Sequence, residues 1–303
     1  MDLPSDDALR WIVSTYAGLR ARHGEAIGDP VLVQPTAEFF PDEFRLDGPS
    51  VERMLRRMIH YAPVSDGLGI ALAFVEPDED HAGGCGSGAC TTATPGASAH
   101  ADVEELDDGY RVSIATADVA RAEVLAGSLS RAIGALVLHE AGERVEPRAS
   151  EIAAVAAGFG VLLANGAAVW AKACGGLRMS RATALSVEEV GVALALFAAV
   201  HGRKASEARA QLGATQRAAF DAALEWVDSN RALVEALRDR PVMLESGAFD
   251  IEPLRGAIGR WLHKRKQDRE LRALPAAKAP TMTDERRRHL EEARALVDEV
   301  MGR

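Results

Sequence analysis

The chain has 303 residues, of which 48% are hydrophobic and 26% are charged, a composition typical of a soluble globular protein with one large or two small domains. Its formal net charge of −10 argues against binding of the whole molecule to nucleic acid or to an anionic membrane. Three cysteines and the lack of a signal-peptide pattern near Met1 predict a protein of the reducing cytoplasm, which argues against a disulfide-stabilised secreted protein.

The predicted strands lie in the first 116 residues. Ser5 is expected to cap a first helix that ends near Arg22, and PVLVQP is expected to form a short strand. A helix over residues 51–61 is followed by a buried strand in GIALAFVEP. A long polar, glycine-rich loop over residues 78–108 comes next, and then YRVSIAT alternates as a strand with one buried face.

The rest of the chain is predicted to be helical. Helices are expected over residues 118–140, 150–173, 186–201, 205–212, 215–238 and 252–274, and Thr283 is expected to cap a last helix. The predicted fold class is therefore α+β, with a small N-terminal sheet followed by a mostly helical half. We divide it into a domain over residues 1–240 and a helical extension over residues 241–303, which contains a proline-bearing tether at residues 274–281.

One apolar run is long enough to cross a membrane. Residues 152–171 contain Asn165 as their only strongly polar side chain. Much of the apolarity comes from alanine and glycine, and no polybasic flank orients the segment. We therefore favour a buried core helix over a membrane span.

The stretch SLSRAIGALVLHEAGERVEP contains a partial metallopeptidase pattern. His139 and Glu140 match the start of H-E-x-x-H, but Glu143 stands where the second histidine is required. Gly142 and Pro147 place these residues at the end of a helix, where rigid ligand geometry is not expected. A polar last turn with a histidine at the negative end of the helix dipole is the favoured interpretation.

A resemblance to a known family suggests a different position for the same motif. The order of strand, helix, short polar turn and EIAAVAAGFGVLLANGAA, with PTAEFFPDEF before it and EEVGVALALFAAVHG after it, resembles an uncharacterised bacterial family of zinc-metallopeptidase-like proteins. The similarity covers about residues 31–226. It implies a zincin-like fold in which a central helix carries A-H-E-x-x-H and the next, apolar helix opens with an acidic residue.

Carried over by position, the family's motif falls on RAIGA. The first histidine corresponds to Arg131, the glutamate to Ala132, the second histidine to Ala135 and the acidic residue to Glu151, if the connecting turn is a few residues shorter here. Alanine offers no lone pair, and arginine stays protonated and cannot bind a cation. The resemblance therefore implies that the catalytic metal site is lost. Arg131 and Glu151 are expected either to pair across the former cleft or to lie on solvated helix faces.

A second set of metal donors lies in the glycine-rich loop. His81, Cys85, Cys90 and His100 could together hold a structural zinc ion, although the C-x4-C spacing is looser than the usual C-x2-C. A disulfide or redox pair of the two cysteines and a disordered loop are the alternatives.

The function predicted from the sequence is that of a non-catalytic, metallopeptidase-like protein that binds a partner or acts as a scaffold in a bacterial cytoplasm, without a cofactor. The partner is expected to be a protein, bound through residues 252–303; the basic cluster at residues 260–272 is more typical of a solvated helix face than of a nucleic-acid site. The alternative function is an active metal-dependent hydrolase with a non-standard site around His139, Glu143 and Glu151, or with chemistry at the two loop cysteines.

Overall fold

The computed structural model describes residues 2–65, 67–76, 102–173 and 176–253. Contacts divide the chain into two units, Met1–Leu254 and Arg255–Arg303, and every element described below belongs to the first. The helices are α1 (Asp6–Ile27), α2 (Gly48–Tyr61), α3 (Thr116–Val119), α4 (Ala122–Glu140), α5 (Pro147–Ala156), α6 (Gly160–Gly166), α7 (Val187–Val200), α8 (Ala205–Ala210), α9 (Ala214–Ser229) and α10 (Arg231–Asp239). The strands are β1 (Ile70–Val75), β2 (Asp102–Leu106), β3 (Gly109–Ala115), β4 (Val169–Ala173) and β5 (Gly176–Ser180). The predicted mixture of helices with a small sheet is confirmed.

Helix α1 forms as its sequence predicts. The Ser5 hydroxyl accepts a hydrogen bond from the Ala8 backbone N–H at 3.3 Å, and this cap satisfies one of the free donors at the helix start. The residues predicted to share one apolar face are all buried: Leu9, Ile12, Val13, Tyr16 and Leu19. The helix extends beyond the predicted end at Arg22 and stops before Gly28, whose φ of 63° suits glycine.

The three-stranded sheet differs from the prediction at both edges. Its order is β1-β3-β2, with β1 parallel and β2 antiparallel to β3. Strand β1 was expected to be buried, but it lies at an edge and leaves Phe74 and Val75 exposed. Strand β2 lies in the predicted loop, because an edge strand that buries only Val103 carries little hydrophobic signal. Strand β3 alternates as predicted.

Helix α4 is the centre of the unit. Every residue from Val124 to Leu138 is buried, and the helix contacts α2, α3, α5 and α6 as well as β2 and β3. The predicted helix over residues 118–140 is interrupted before this segment, because Arg121 has an extended backbone with φ −140° and ψ 118°. The separate short turn α3 thereby brings Asp118 back against α4.

The predicted long helix over residues 150–173 is wrong. It is divided into α5, α6 and strand β4, with the first break at Gly158, whose φ is 98°. A Cβ at this glycine would lie 2.0 Å from the Val31 carbonyl oxygen, so only glycine fits there. The predicted strand in PVLVQP is also wrong: these residues run beside the break, and Val33 N–H donates to the Gly158 carbonyl at 3.0 Å.

The apolar run over residues 152–171 therefore does not form one continuous helix. Among the helices that the structure describes, α4 is long and apolar enough to span a bilayer. Its apolar window is 83% buried inside the protein, as expected for a core helix.

The later helices follow the predicted order, with one further break. Ser186 and Glu189 form a capping box at the start of α7, with mutual hydrogen bonds of 3.2 and 2.8 Å. Asn230 separates α9 from α10, where one helix was predicted. Its side-chain amide binds the Glu252 backbone through bonds of 2.8 and 3.0 Å, which attaches residues 241–252 to the helical unit.

Close packing of α4 on α5 gives a direct test of this fold. A Cβ at Gly134 would lie 1.8 Å from the Ser150 carbonyl oxygen. We expect Gly134→Ala to lower the free energy of unfolding by about 3 kcal/mol, since the two backbones must separate. Gly24→Ala, in α1, meets no heavy atom within 4 Å and should instead raise it by up to about 1 kcal/mol. Urea unfolding followed by circular dichroism measures both, and equal effects of the two substitutions would contradict the packing described.

Candidate functional site

Arg131 occupies the face of α4 that packs on α5 and α6. It lies between Gly127 and Gly134, four and three residues away, so the three residues share one side of the helix. A Cβ at Gly127 would lie 3.0 Å from the Gly166 Cα, and the Gly134 contact is closer still. The close approach of these helices covers the Arg131 side chain, which is only 6% exposed.

Two buried carboxylates lie near this guanidinium and, with a serine, form what we call the Arg131 cluster: Arg131, Asp118, Ser128 and Glu151. Asp118 comes from α3 and accepts a hydrogen bond of 2.6 Å from the Ser128 hydroxyl on α4. Glu151 comes from α5 and has 0% exposure. Both carboxylates attract Arg131, as does Asp102 at the start of β2. The cluster therefore places opposite charges together inside the core.

Glu151 also holds the loop that leads to α7. Its two carboxylate oxygens accept hydrogen bonds from the backbone N–H groups of Ala184, at 2.6 Å, and Leu185, at 2.8 Å. Burial nevertheless raises the pKa of Glu151 to about 7, and the two backbone donors and the positive charge of Arg131 oppose that rise only in part. The ionisation state of Glu151 thus depends on small changes in its surroundings.

Burial also shifts the other two charged members of the cluster. It raises the pKa of Asp118, while the Ser128 hydrogen bond and the charge of Arg131 lower it. It lowers the pKa of Arg131, and the carboxylate of Glu151 is the main opposing influence. The charge of Arg131 is thus offset chiefly by nearby carboxylates, whereas hydrogen bonds from Ser128 to Asp118 and from the Ala184 and Leu185 backbone to Glu151 do more than Arg131 to stabilise the two carboxylates.

The two expectations for Arg131 and Glu151 can now be compared with their positions. Solvated helix faces are excluded, because both side chains are buried. The residues lie on helices that pack together, and their charges attract each other across the contact. Ala132 and Ala135, the other two positions of the predicted degenerate motif, are buried as well and present only methyl groups.

The alternative site around His139 is not assembled. The His139 ring packs on Tyr110 with centroids 5.4 Å apart. Glu140 accepts hydrogen bonds from the Tyr110 hydroxyl and from Ser65, and the Ser65 bond is the main reason that its pKa is lowered. Glu143 instead faces α1.

On α1, His23 and Arg22 bind Glu143 at 3.0 and 2.7 Å and lower its pKa. Glu151, the third residue of the alternative site, binds a different loop, so these acidic residues have separate partners. Within the part of the chain that the structure describes, no three histidine, cysteine, aspartate or glutamate side chains are grouped as metal ligands.

Other predicted site residues lie outside the described residues. This applies to the loop donors His81, Cys85, Cys90 and His100, and to all but the first two residues of the predicted partner-binding segment, residues 252–303. The structural zinc and the extension's partner therefore stay predictions.

A solvent-accessible groove is the second candidate site, and the sequence did not indicate it. It has a volume of about 690 Å³ and lies between the segment 35–57, the start of α4, helix α6 and strand β4; we call it the α2–β4 groove. Its apolar lining includes Phe40, Phe44, Met54, Leu162 and Trp170. The volume is that of a typical ligand-binding cleft.

Comparisons with known protein families, with curated proteins and with solved structures found no match to this chain. The resemblance to zinc-metallopeptidase-like proteins therefore stays a prediction from the sequence.

Sequence reasoning missed Asp118 and the groove for different reasons. Asp118 lies in the first turn of the short helix α3, just after strand β3, where an acidic residue is common in any helix. The groove combines side chains from separate segments, so no local pattern marks it. The aromatic residues of PTAEFFPDEF, flanked by charges, were the one available signal.

The raised pKa of Glu151 predicts a pH-dependent stability. Between its ordinary value of 4.5 and about 7, the folded state holds a proton that the unfolded state has released. The stabilising contribution of this group is therefore fully present below about pH 4.5 and declines as the pH rises through 7, by up to about 3 kcal/mol.

Urea unfolding of the wild type and of Glu151→Gln at a series of pH values measures this contribution. The variant should be less stable at low pH, because its amide N–H groups face a backbone donor, and its stability should change less between about pH 5 and pH 8. An unchanged pH dependence in Glu151→Gln would show that Glu151 does not titrate in this range.

Proposed function

We propose that this chain is a non-catalytic, zincin-like protein that acts by binding a partner in a bacterial cytoplasm. The observation that carries the proposal is the burial of Arg131, whose charge attracts the buried carboxylates of Glu151 and Asp118, at the position where the resembled family carries its first metal-binding histidine. The guanidinium supplies positive charge to a pair of buried carboxylates that a metal ion would otherwise neutralise.

The donor set at this position argues against a bound catalytic metal ion. Catalytic zinc in proteins requires about three neutral or anionic donors and an open position for water. Here the Arg131 side chain offers only N–H groups and no lone pair for a metal ion, and the methyl side chains of Ala132 and Ala135 offer no ligand atom. A divalent ion placed beside Glu151 would also be repelled by the charge of Arg131.

The hydrogen bonds of Glu151 support the same proposal. Both of its oxygens point at the backbone N–H groups of Ala184 and Leu185, so its lone pairs are directed at the loop before α7. A residue that would bind the metal in an active relative is used here to hold the fold. We infer that the scaffold has been kept for its surface.

Rebuilding the metal ligands tests the proposal. The parent protein for this test carries Cys85→Ser and Cys90→Ser, because these substitutions remove the loop thiols. We expect it to contain no stoichiometric zinc when its metal content is measured by mass spectrometry. Adding Arg131→His and Ala135→His should create a site with Glu151 and bind about one zinc ion per chain, since three such donors hold zinc. Adding Glu151→Ala to that variant should abolish the new zinc binding.

Three other results would contradict the proposed loss of the metal site. Stoichiometric zinc in the parent protein that Glu151→Ala removes would mean that a metal site is intact, and zinc that His139→Ala removes would support the shifted hydrolase site. If the two introduced histidines fold normally yet bind no zinc, the correspondence of Arg131 with a metal ligand is wrong.

A further inference from the structure

The α2–β4 groove is formed before any ligand binds. The Asn165 side chain donates to the Gln211 carbonyl at 2.9 Å and accepts from Gly213 N–H at 3.2 Å. Gln216 donates to the Ala168 carbonyl at 2.7 Å. These bonds join α6 to the start of α9 and fix one wall, so a ligand need not order it.

Large apolar side chains are exposed on the β4 wall of the groove and next to it. Trp170, on the β4 wall, is 55% exposed, and its cross-strand partner Met179 on β5 is 42% exposed. The groove itself adds Phe40 and Phe44 to this surface. Aromatic residues and methionine on an open surface are typical of protein-binding sites.

Opposite charges line two walls of the groove. Arg53, on α2, donates to the Ser50 hydroxyl at 2.7 Å and is attracted by the Asp47 carboxylate, but it forms no direct ion pair among the described residues. Its neighbour Arg57 is engaged by Asp42 at 3.3 Å. Glu123, at the start of α4, likewise has no ion-pair partner within the described part of the chain. Among the charged side chains that line the groove, Arg53 and Glu123 are therefore the two that form no direct ion pair within the described part of the chain, and both are exposed to solvent.

We propose that the α2–β4 groove binds a peptide segment of a partner protein in which large apolar residues adjoin an acidic residue. The apolar side chains pack on Phe40, Phe44 and Trp170, the acidic side chain pairs with Arg53, and a basic group of the segment faces Glu123. A peptide can form ion pairs with both Arg53 and Glu123, whereas a small amphipathic acid can pair only with Arg53. The inference rests on the proposed function for its premise that the chain acts by binding.

Selection from a random peptide library displayed on phage tests the proposal with immobilised full-length protein. We expect enriched peptides to combine large apolar residues with aspartate or glutamate. Fluorescence anisotropy with synthetic copies should show at least a tenfold weaker affinity for Trp170→Ala, because an exposed tryptophan is a typical binding hot spot.

The Arg53→Glu variant should bind acidic peptides with an affinity lowered by a similar factor. Selection on this variant should instead enrich peptides with lysine or arginine. Arg56→Glu is the matched control, since Arg56 lies on the same helix, pairs with Glu52 and does not line the groove. The affinity of Arg56→Glu for the peptides should stay within about twofold of the wild-type value, as expected for a residue that does not contact the peptide. Melting temperatures of all three variants verify that they fold.

Three results would overturn the proposal. The wild type could enrich no more peptides than the Trp170→Ala variant, or the enriched peptides could bind Arg53→Glu as tightly as the wild type. Dodecanoate could also bind tightly and displace the peptides. The last would identify a small amphipathic acid as the occupant. Intact recovery of bound peptides, checked by mass spectrometry, separates this inference from the proposed function. Cleaved peptides would contradict the lack of catalysis, and intact peptides that bind elsewhere would contradict only the groove.

Discussion

The structure depends on the neutralisation of one buried positive charge. A guanidinium removed from water loses a large solvation energy, and only nearby anions and hydrogen-bond acceptors can offset that loss. Arg131 is covered by α5 and α6 and attracts the carboxylates of Glu151 and Asp118. Because these residues come from α4, α5 and α3, the charge cluster links three elements at the centre of the unit. Removing one charge would leave the others unbalanced.

Glycine packing is what makes this burial possible. Gly127 and Gly134 allow α6 and α5 to approach the same face of α4 at backbone distance, and Arg131, which lies between them on that face, is left only 6% exposed. With larger residues at these positions the helices would separate and water could reach the guanidinium. The small residues that gave the sequence its apolar, alanine-rich character therefore have a definite role: they exclude water from a charge.

The sequence predicted the elements of the central region better than their limits. A helix that carries Arg131, followed by an apolar helix that opens with Glu151, was predicted from the sequence pattern and the resemblance. Whether the two side chains pair or face solvent was left open, and the structure buries both. The break at Gly158 could not, because its cause is a contact with Val31 about 130 residues earlier. Strand β4 was missed for another reason. The alanine-rich residues before and within it fit a buried helix as well as a strand, so the period of the pattern was ambiguous.

The two candidate sites were predictable to different degrees. Glu151 was identified from the family resemblance, and its bonds to Ala184 and Leu185 give it a role that the resemblance did not suggest. The α2–β4 groove joins residues such as Phe40 and Trp170, which are far apart in the chain and share no motif. Surface grooves of this kind depend on tertiary packing.

A crystal structure of the protein grown with excess zinc, with diffraction data collected above and below the zinc absorption edge, shows directly whether α4 and α5 hold a metal ion. We expect no anomalous peak between the two helices and a buried Arg131 guanidinium at their contact. A peak at that position, held by protein nitrogen or oxygen atoms and accompanied by displacement of the arginine, would instead mean that a metal site is intact.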